Sequence, residues 1–419
     1  MEENIQMQSI SANDLEQCLK CSICTVYCPV SAVTADYPGP KHAGPDSERY
    51  RLKGSEFFDE KALKMCLNCK RCEVVCPHGV RIGDIIQSAR MRFSKHGPNM
   101  REFLLANTDL FGGLATKMAP LANFALGLKP VKAVMHSVIG VDKHRTFPQY
   151  SAVTFESWYK KEAAASQDLY AKHVSYFHGC YVNYNFPQLG KDLVKVMNAI
   201  GYGVHLLDSE KCCGVALIAN GMAAKAARNA AKNMGALRKS VVNGRQIITT
   251  SSTCTFTMRD EYEHLLHVDN EVAKDNLSLA TRFIYRLVES GEVKLAFRPD
   301  YKARIAYHTA CHMKKLGWAI YSTRLLRMIP GLDLIILDSQ CCGIGGTYGF
   351  KKEYYEVSQA IGAPLFKQIK ELGVDCVSTD CETCKWQIEM SADTCVKNPI
   401  SILAEALDVE ATVALNTKK

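Results

Sequence analysis

Two cysteine runs of the same form open the chain. The first is Cys18-x2-Cys21-x2-Cys24-x3-Cys28-Pro29, and the second is Cys66-x2-Cys69-x2-Cys72-x3-Cys76-Pro77. Three thiolates at three-residue spacing can wrap three irons of one cube. The fourth, directed away by the following proline, reaches the other cube. On that rule Cys18, Cys21, Cys24 and Cys76 hold one 4Fe–4S cluster, and Cys66, Cys69, Cys72 and Cys28 hold a second. Zinc sites pair two C-x2-C hooks instead of placing four cysteines in one run. Two full copies, both ending in Cys-Pro, point to iron and sulfide.

Nineteen cysteines are present in 419 residues, and those after the two runs form an imperfect internal repeat. Val174 to Cys180 is echoed by Ile305 to Cys311. Leu206-Leu207-Asp208 followed by Cys212-Cys213-Gly214 is echoed by Ile336-Leu337-Asp338 followed by Cys341-Cys342-Gly343. Thr250 to Cys254 is echoed by Val377 to Cys381, which continues to Cys384. Copy two therefore offers Cys311, Cys341, Cys342, Cys381 and Cys384. Copy one offers Cys180, Cys212, Cys213 and Cys254, with Thr257 at the last position. Adjacent cysteines can serve different irons of one cluster. Cys376 and Cys395 fall outside the pattern and are expected to be buried structural thiols. His308 and His312 flank Cys311 and could relay protons, but structural roles are the expectation.

These residues need elements to position them. Val204 to Leu207, Ile247 to Thr250, Arg304 to Tyr307 and Leu334 to Leu337 are short apolar runs that predict buried strands. Met222 to Leu237 and Glu353 to Leu372 predict helices. Each copy is thus a βαβ-type α/β unit with a mainly parallel sheet. The cysteines follow the strands, where ligand sites gather in such sheets. The expected organisation has four parts: 1–100, an all-α module with two clusters; 101–170, a helical linker; 171–290, the first repeat; and 300–410, the second.

The N-terminal motifs resemble the all-helical two-cluster ferredoxin module of anaerobic respiratory enzymes. The C-terminal pattern resembles the tandem cysteine-rich (CCG) repeats of heterodisulfide reductase, glycolate oxidase and lactate-utilisation proteins. In this order, the parts are similar to the family of iron–sulfur subunits, type C, of anaerobic glycerol-3-phosphate dehydrogenase complexes. The resemblance implies a noncubane 4Fe–4S cluster on the five cysteines of copy two and leaves a cluster in copy one in doubt. It also implies an electron-transfer and membrane-anchoring protein at the cytoplasmic face of a bacterial inner membrane, bound peripherally. Its partners would be flavoprotein dehydrogenase subunits that oxidise glycerol 3-phosphate, and menaquinone or another quinone. The alternatives are the iron–sulfur component of a glycolate or lactate oxidase, or a catalytic disulfide reductase of the heterodisulfide reductase type.

Other features bound this reading. Met1-Glu2-Glu3-Asn4 lacks the basic and apolar regions of a secretory signal, so a reducing compartment is expected. The formal charge is +8. Two 4Fe–4S2+ cores with their thiolates would lower it to about +4, and no dense Lys/Arg tract or RNA-recognition signature accompanies it, so nucleic acid is not the expected partner. Gly343-Ile344-Gly345-Gly346-Thr347-Tyr348-Gly349 fails the dinucleotide fingerprint at Tyr348. Without a flavin or nicotinamide site, electrons are expected to come from a separate flavoprotein. Between Asp109 and Asp142 no acidic residue occurs, and Leu110, Leu114, Met118, Leu121, Ala125, Leu128, Val131, Met135 and Val138 recur near helical spacing. Pro120 and Pro130 divide this run. With Lys117, Lys129 and Lys132 interspersed, the short helices suit either an anionic membrane surface or packing against the two domains or a partner subunit, and the family resemblance implies the membrane.

Overall fold

The computed structural model describes residues 15–53, 60–93, 99–338 and 340–417. Two parallel sheets of four strands dominate its C-terminal part. The first holds β1 (Lys172–Phe177), β2 (Tyr202–Leu206), β3 (Gln246–Thr249) and β4 (Leu277–Leu279) in the order β2-β1-β3-β4. The second holds β5 (Ala303–Tyr307), β6 (Leu332–Ile336), β7 (Cys376–Ser378) and β8 (Val396–Lys397) in the order β6-β5-β7-β8. The internal repeat is thus a repeat of topology. β5 ends in the unbroken apolar run Ile305-Ala306-Tyr307, and the buried end of β1 is interrupted only by Ser175, because helices cover both faces.

The helices follow from their apolar spacing. Ala223–Val242 buries Ala226, Ala230, Met234 and Leu237 along one stripe. Its counterpart Tyr355–Leu372 buries Ile361, Leu365 and Ile369. The two repeats share a core: Val174, Leu193 and Ile284 of the first repeat with Leu325, Ile400 and Leu403 of the second. Helix Pro187–Ala199 packs on Pro399–Ala406, and Ala280–Glu289 on Ala319–Leu326.

The N-terminal module is helical, with Ile23–Val26, Ser47–Leu52, Glu60–Met65, Arg71–Val74 and Ile82–Arg92. Its core, which includes Leu63, Ile82, Ile85 and Ile86, continues onto Cys341, Tyr348 and Ile361 of the second repeat. The linker forms the short helices Met100–Ala106, Thr108–Lys117, Ala119–Gly127 and Lys129–Val134. Pro120 and Pro130 lie in the first turns of the last two, where a missing N–H costs no helical bond. Asn99 and Glu102 form a capping box that starts the first. Among the described residues no helix is long and apolar enough to cross a membrane.

Candidate metal centres

Each N-terminal run wraps its sulfurs by the same backbone device. Lys20 and Ser22 in the first run, and Asn68 and Lys70 in the second, adopt positive φ between 55° and 66°. Non-glycine residues rarely do so, and the paired recurrence marks a constrained loop. The turn aims the Asn68 N–H at Cys66 Sγ, 3.4 Å away. Ser22 and Lys70 then begin the one-turn helices that carry Cys24 and Cys72.

The two runs exchange their last cysteines. One small cavity is lined by Cys66, Cys69, Cys72 and Cys28, and another by Cys18, Cys21, Cys24 and Cys76. This is the grouping that the Cys-Pro geometry predicts. Iron fits the donor set: burial pushes the Cys28 thiol up to about 12 and Cys72 well above its ordinary range. Thiolates there need a cationic partner, which an iron core would supply.

Behind the second run lies a buried charge network absent from the sequence reading. Lys70 bonds to Asp84 and lies 3.7 Å from Glu73 and 3.5 Å from Glu261. Lys315 adds a second cation to Glu73 at 2.9 Å, and Arg81 bridges Asp84 and Asp260. Burial opposes the Lys70 charge, but the three carboxylates outweigh it and hold its pKa well above the usual value. The network joins the N-terminal module to both repeats. The available signal was a lysine inside a cysteine run, where a solvated residue would be the simple reading.

In each repeat the cysteines lie beyond the carboxyl ends of the strands. In the second, Cys311 Sγ is 3.7 Å from Cys341 Sγ, and Cys342 Sγ is 3.2 Å from Cys384 Sγ. Cys384 also bonds to Cys381, which that contact pulls down to about 5. In the first, contacts link Cys180 to Cys212, Cys212 to Cys213, and Cys213 to Cys254. Thr257 takes no part: it is fully buried, and its hydroxyl donates to Glu261 Oε2 at 2.9 Å. The glycine after each cysteine pair turns the chain, with φ of 87° at Gly214 and 84° at Gly343. A Cβ on Gly343 would meet Ser358 O at 2.0 Å, so the strand-to-helix approach requires glycine there.

Both repeats' thiol sets line one cavity of about 270 Å3. Its remaining wall is largely aromatic and apolar, including Phe111, Phe147, Tyr184, Phe350 and Trp386. The repeats meet where Ser252 N–H and its hydroxyl both donate to Asp380 O, at 2.9 and 2.8 Å. Ser251 there donates to Glu382 Oε2 at 3.0 Å. Burial, with Cys381 beside it, raises the Glu382 carboxyl to about 8.

The histidines and the two extra cysteines divide differently from expectation. His312 stacks on Phe256 with ring centroids 4.7 Å apart and donates to Asn68 O at 3.2 Å, as a structural histidine should. His308 is buried, but neither ring nitrogen has a partner among the described residues. Cys376 is buried as expected, whereas Cys395 is exposed. It enters β8, the outer strand, where its thiol lies 2.7 Å from Cys376 and little chain covers it.

Three segments of the chain match known family models. Residues 14–80 match the family model of the 4Fe-4S dicluster domain, and residues 174–259 and 305–389 match that of the cysteine-rich (CCG) domain. The C subunit of the anaerobic glycerol-3-phosphate dehydrogenase of Escherichia coli (strain K12) is 56% identical over 393 residues, 94% of this chain and 98% of the relative. Lactate utilization protein A of Geobacillus kaustophilus (strain HTA426) is 30% identical over 42% of this chain and 74% of its own length. The B subunit of the fumarate reductase (CoM/CoB) of Methanothermobacter marburgensis is 28% identical over 52% of this chain and 42% of its own.

Proposed function

The chain belongs to the iron–sulfur family of the C subunit of anaerobic glycerol-3-phosphate dehydrogenase, and from that premise we propose that it carries electrons from a flavoprotein glycerol-3-phosphate dehydrogenase to a quinone. Menaquinone is the quinone suited to anaerobic respiration, and the site of action is the cytoplasmic face of a bacterial inner membrane. Two cubane 4Fe–4S clusters on the crossed N-terminal sets, and a noncubane cluster on Cys311, Cys341, Cys342, Cys381 and Cys384, would supply one-electron carriers between two-electron partners. Cys180, Cys212, Cys213 and Cys254 would offer a further cluster four thiols and no fifth, since Thr257 turns away from them to Glu261.

One observation carries this reading. Helix Thr108–Lys117 stands between the cysteine-lined cavity and an exposed apolar face. Thr108, Phe111 and Gly112 line the cavity. Leu110 and Leu114 on the same helix are exposed, as are Met118, Leu121 and Phe124 just beyond it. Gly112 lets the helix close on the aromatic wall, since a Cβ there would meet the Tyr184 ring at 2.5 Å. A quinone in the interface would therefore be one helix away from the thiols. The aromatic wall would hold its ring and exclude water. The Glu382 carboxyl holds a proton at that wall near neutral pH.

The test uses the reconstituted complex. Cys342→Ala should leave glycerol-3-phosphate oxidation by the flavoprotein intact with an artificial dye, and should abolish reduction of a menaquinone analogue. Quinone reduction at the wild-type rate would reduce the repeats to scaffolding.

A further inference from the structure

His308 follows β5, and its backbone N–H is already bonded to Ser378 O at 2.8 Å. The main chain is therefore fixed while the ring is left over. The residue is 1% exposed, and both Nδ1 and Nε2 lack partners among the described residues. Leaving a buried polar group unpaired is costly, so such groups call for an explanation. The other histidines near the repeat cysteines have one. His178, the first residue after β1, lies 3.3 Å from Glu210 and 3.5 Å from Glu156. His312 is stacked and bonded as described above.

The ring of His308 faces sulfur. A ring nitrogen of His308, Cys342 Sγ and Cys384 Sγ all lie within 4.8 Å of one another, and all three residues are buried. The two sulfurs are 3.2 Å apart. Three ligands of one tetrahedral metal, at bond lengths of about 2.0–2.3 Å, would be separated by about 3.4–3.8 Å. A small closure or opening of these side chains reaches that geometry. Among the described residues no carboxylate joins the trio.

We propose that His308 is a nitrogen ligand to iron at the second repeat's centre and shares that iron with Cys342 and Cys384. The assignment rests on reading that repeat as an iron site. Cys311, Cys341 and Cys381 then serve the other irons. Replacing thiolate by neutral imidazole raises the reduction potential of an iron–sulfur centre. His308 would thus make this centre the better electron acceptor of the chain, which suits a position next to a quinone.

The full-length protein, purified anaerobically with natural-abundance or 15N-labelled histidine, provides the test. Pulsed electron paramagnetic resonance of the second repeat's centre should show a strongly coupled nitrogen that changes with the label. The coupling should persist in His312→Gln and His178→Phe and vanish in His308→Ala. His308→Cys should keep the iron and lower the centre's potential. A labelled wild-type centre without strong histidine nitrogen coupling overturns the proposal, even where His308→Ala fails to load. An unchanged potential in a fully loaded His308→Cys protein also counts against it. Wild-type protein with no iron beyond the two N-terminal sites overturns both the reading of the repeat as an iron site and, with it, the ligand assignment.

Discussion

The Cys69 and Cys311 thiols are neighbours in the shared cavity, so the second N-terminal run and the second repeat meet there. Cys69 lines the cavity completed by Cys28, and Cys311 begins the thiol series of the second repeat. The contact is braced on both sides. His312, next to Cys311, donates to Asn68 O, and Lys315 pairs with Glu73 beside Cys72. Cys254 approaches the second repeat by a different contact, through Thr253 and Cys381, 3.5 Å apart.

The exchange of Cys28 and Cys76 has a direct consequence. Cys28→Ser should damage the cluster of Cys66, Cys69 and Cys72 more than that of its own run, and Cys76→Ser should do the reverse. Anaerobic purification followed by electron paramagnetic resonance reads the two sites. The wild type should carry about eight irons and eight sulfides for two cubes, and about twelve of each with a third cluster. Loss confined to the mutated run's own cluster would contradict the crossed lining.

Lys70 is the only lysine in contact with Glu73, Asp84 and Glu261 together among the described residues. Lys70→Met removes that counter-charge and leaves carboxylates buried. Breaking a buried ion pair from one side costs about 3–5 kcal/mol. The expected result is a lower denaturation midpoint, with loss of the cluster next to Lys70 preceding unfolding. Lys70→Arg should recover part of the loss. A midpoint unchanged in Lys70→Met would mean that Lys315 and Arg81 suffice.

Much of this arrangement was legible in the residues. The cysteine spacing gave the crossed grouping, and the apolar runs gave strands within a residue or two, as at Arg304 to Tyr307 against Ala303–Tyr307. Local patterns sufficed because parallel strands buried on both faces have continuous apolar signatures. Long-range side-chain pairing leaves no such signature. Nothing near Lys70 announces Glu261, and nothing near Thr257 says that its hydroxyl serves that same glutamate. His308 and His312 look equivalent around Cys311, yet His312 has Phe256 and Asn68 as partners and His308 lies beside the Cys342 and Cys384 thiols. Cys376 and Cys395 differ for a topological reason: one begins an inner strand and the other precedes an edge strand.

His178 and Glu210 make stability depend on pH. Burial works against the imidazolium, but Glu210 and Glu156 outweigh it and hold His178 at about 8, against an ordinary 6.5. Burial also lifts Glu210 to about 7 from 4.5. Both shifts have the same sign: the folded pair keeps protons that the unfolded chain has released. For His178 the stabilisation is complete below pH 6.5 and is lost as the pH rises through about 8. For Glu210 the loss spans 4.5 to about 7. A shift of this size at His178 corresponds to at most about 2 kcal/mol. Denaturant titrations of the cluster-loaded protein should therefore show falling stability between about pH 6 and 9, a fall of about this size. His178→Phe should flatten the upper part of that fall. A stability curve that rises over this interval would mean that the pair is not protonated in the folded state.

The exposed face of the linker can meet a membrane or a protein partner, and the two differ in what its lysines do. The exposed side chains Leu114, Met118, Leu121 and Phe124 lie on two consecutive helices and the residue that joins them, followed by exposed Val134 and Val138. Lys117, Lys129 and Lys132 accompany them, and no acidic residue intervenes between Asp109 and Asp142. On a membrane the apolar side chains would enter the acyl boundary while the lysines meet anionic headgroups, each worth about 1 kcal/mol near the surface. Vesicles containing anionic lipid should bind the wild type and release it at high salt or alkaline pH. Reversing all three lysines to glutamate should weaken binding by about 3 kcal/mol, more than a hundredfold, if all three touch the surface. Leu121→Asp with Phe124→Asp should weaken binding to neutral vesicles as well, because it removes apolar insertion and not attraction between charges. Cysteine-cluster spectra should be unchanged in both variants, since none of these five side chains lines the thiol cavity. If both variants bind vesicles like the wild type but fail to assemble with the flavoprotein, the face is a protein–protein interface. The quinone would then have to reach the cavity by a route other than helix Thr108–Lys117.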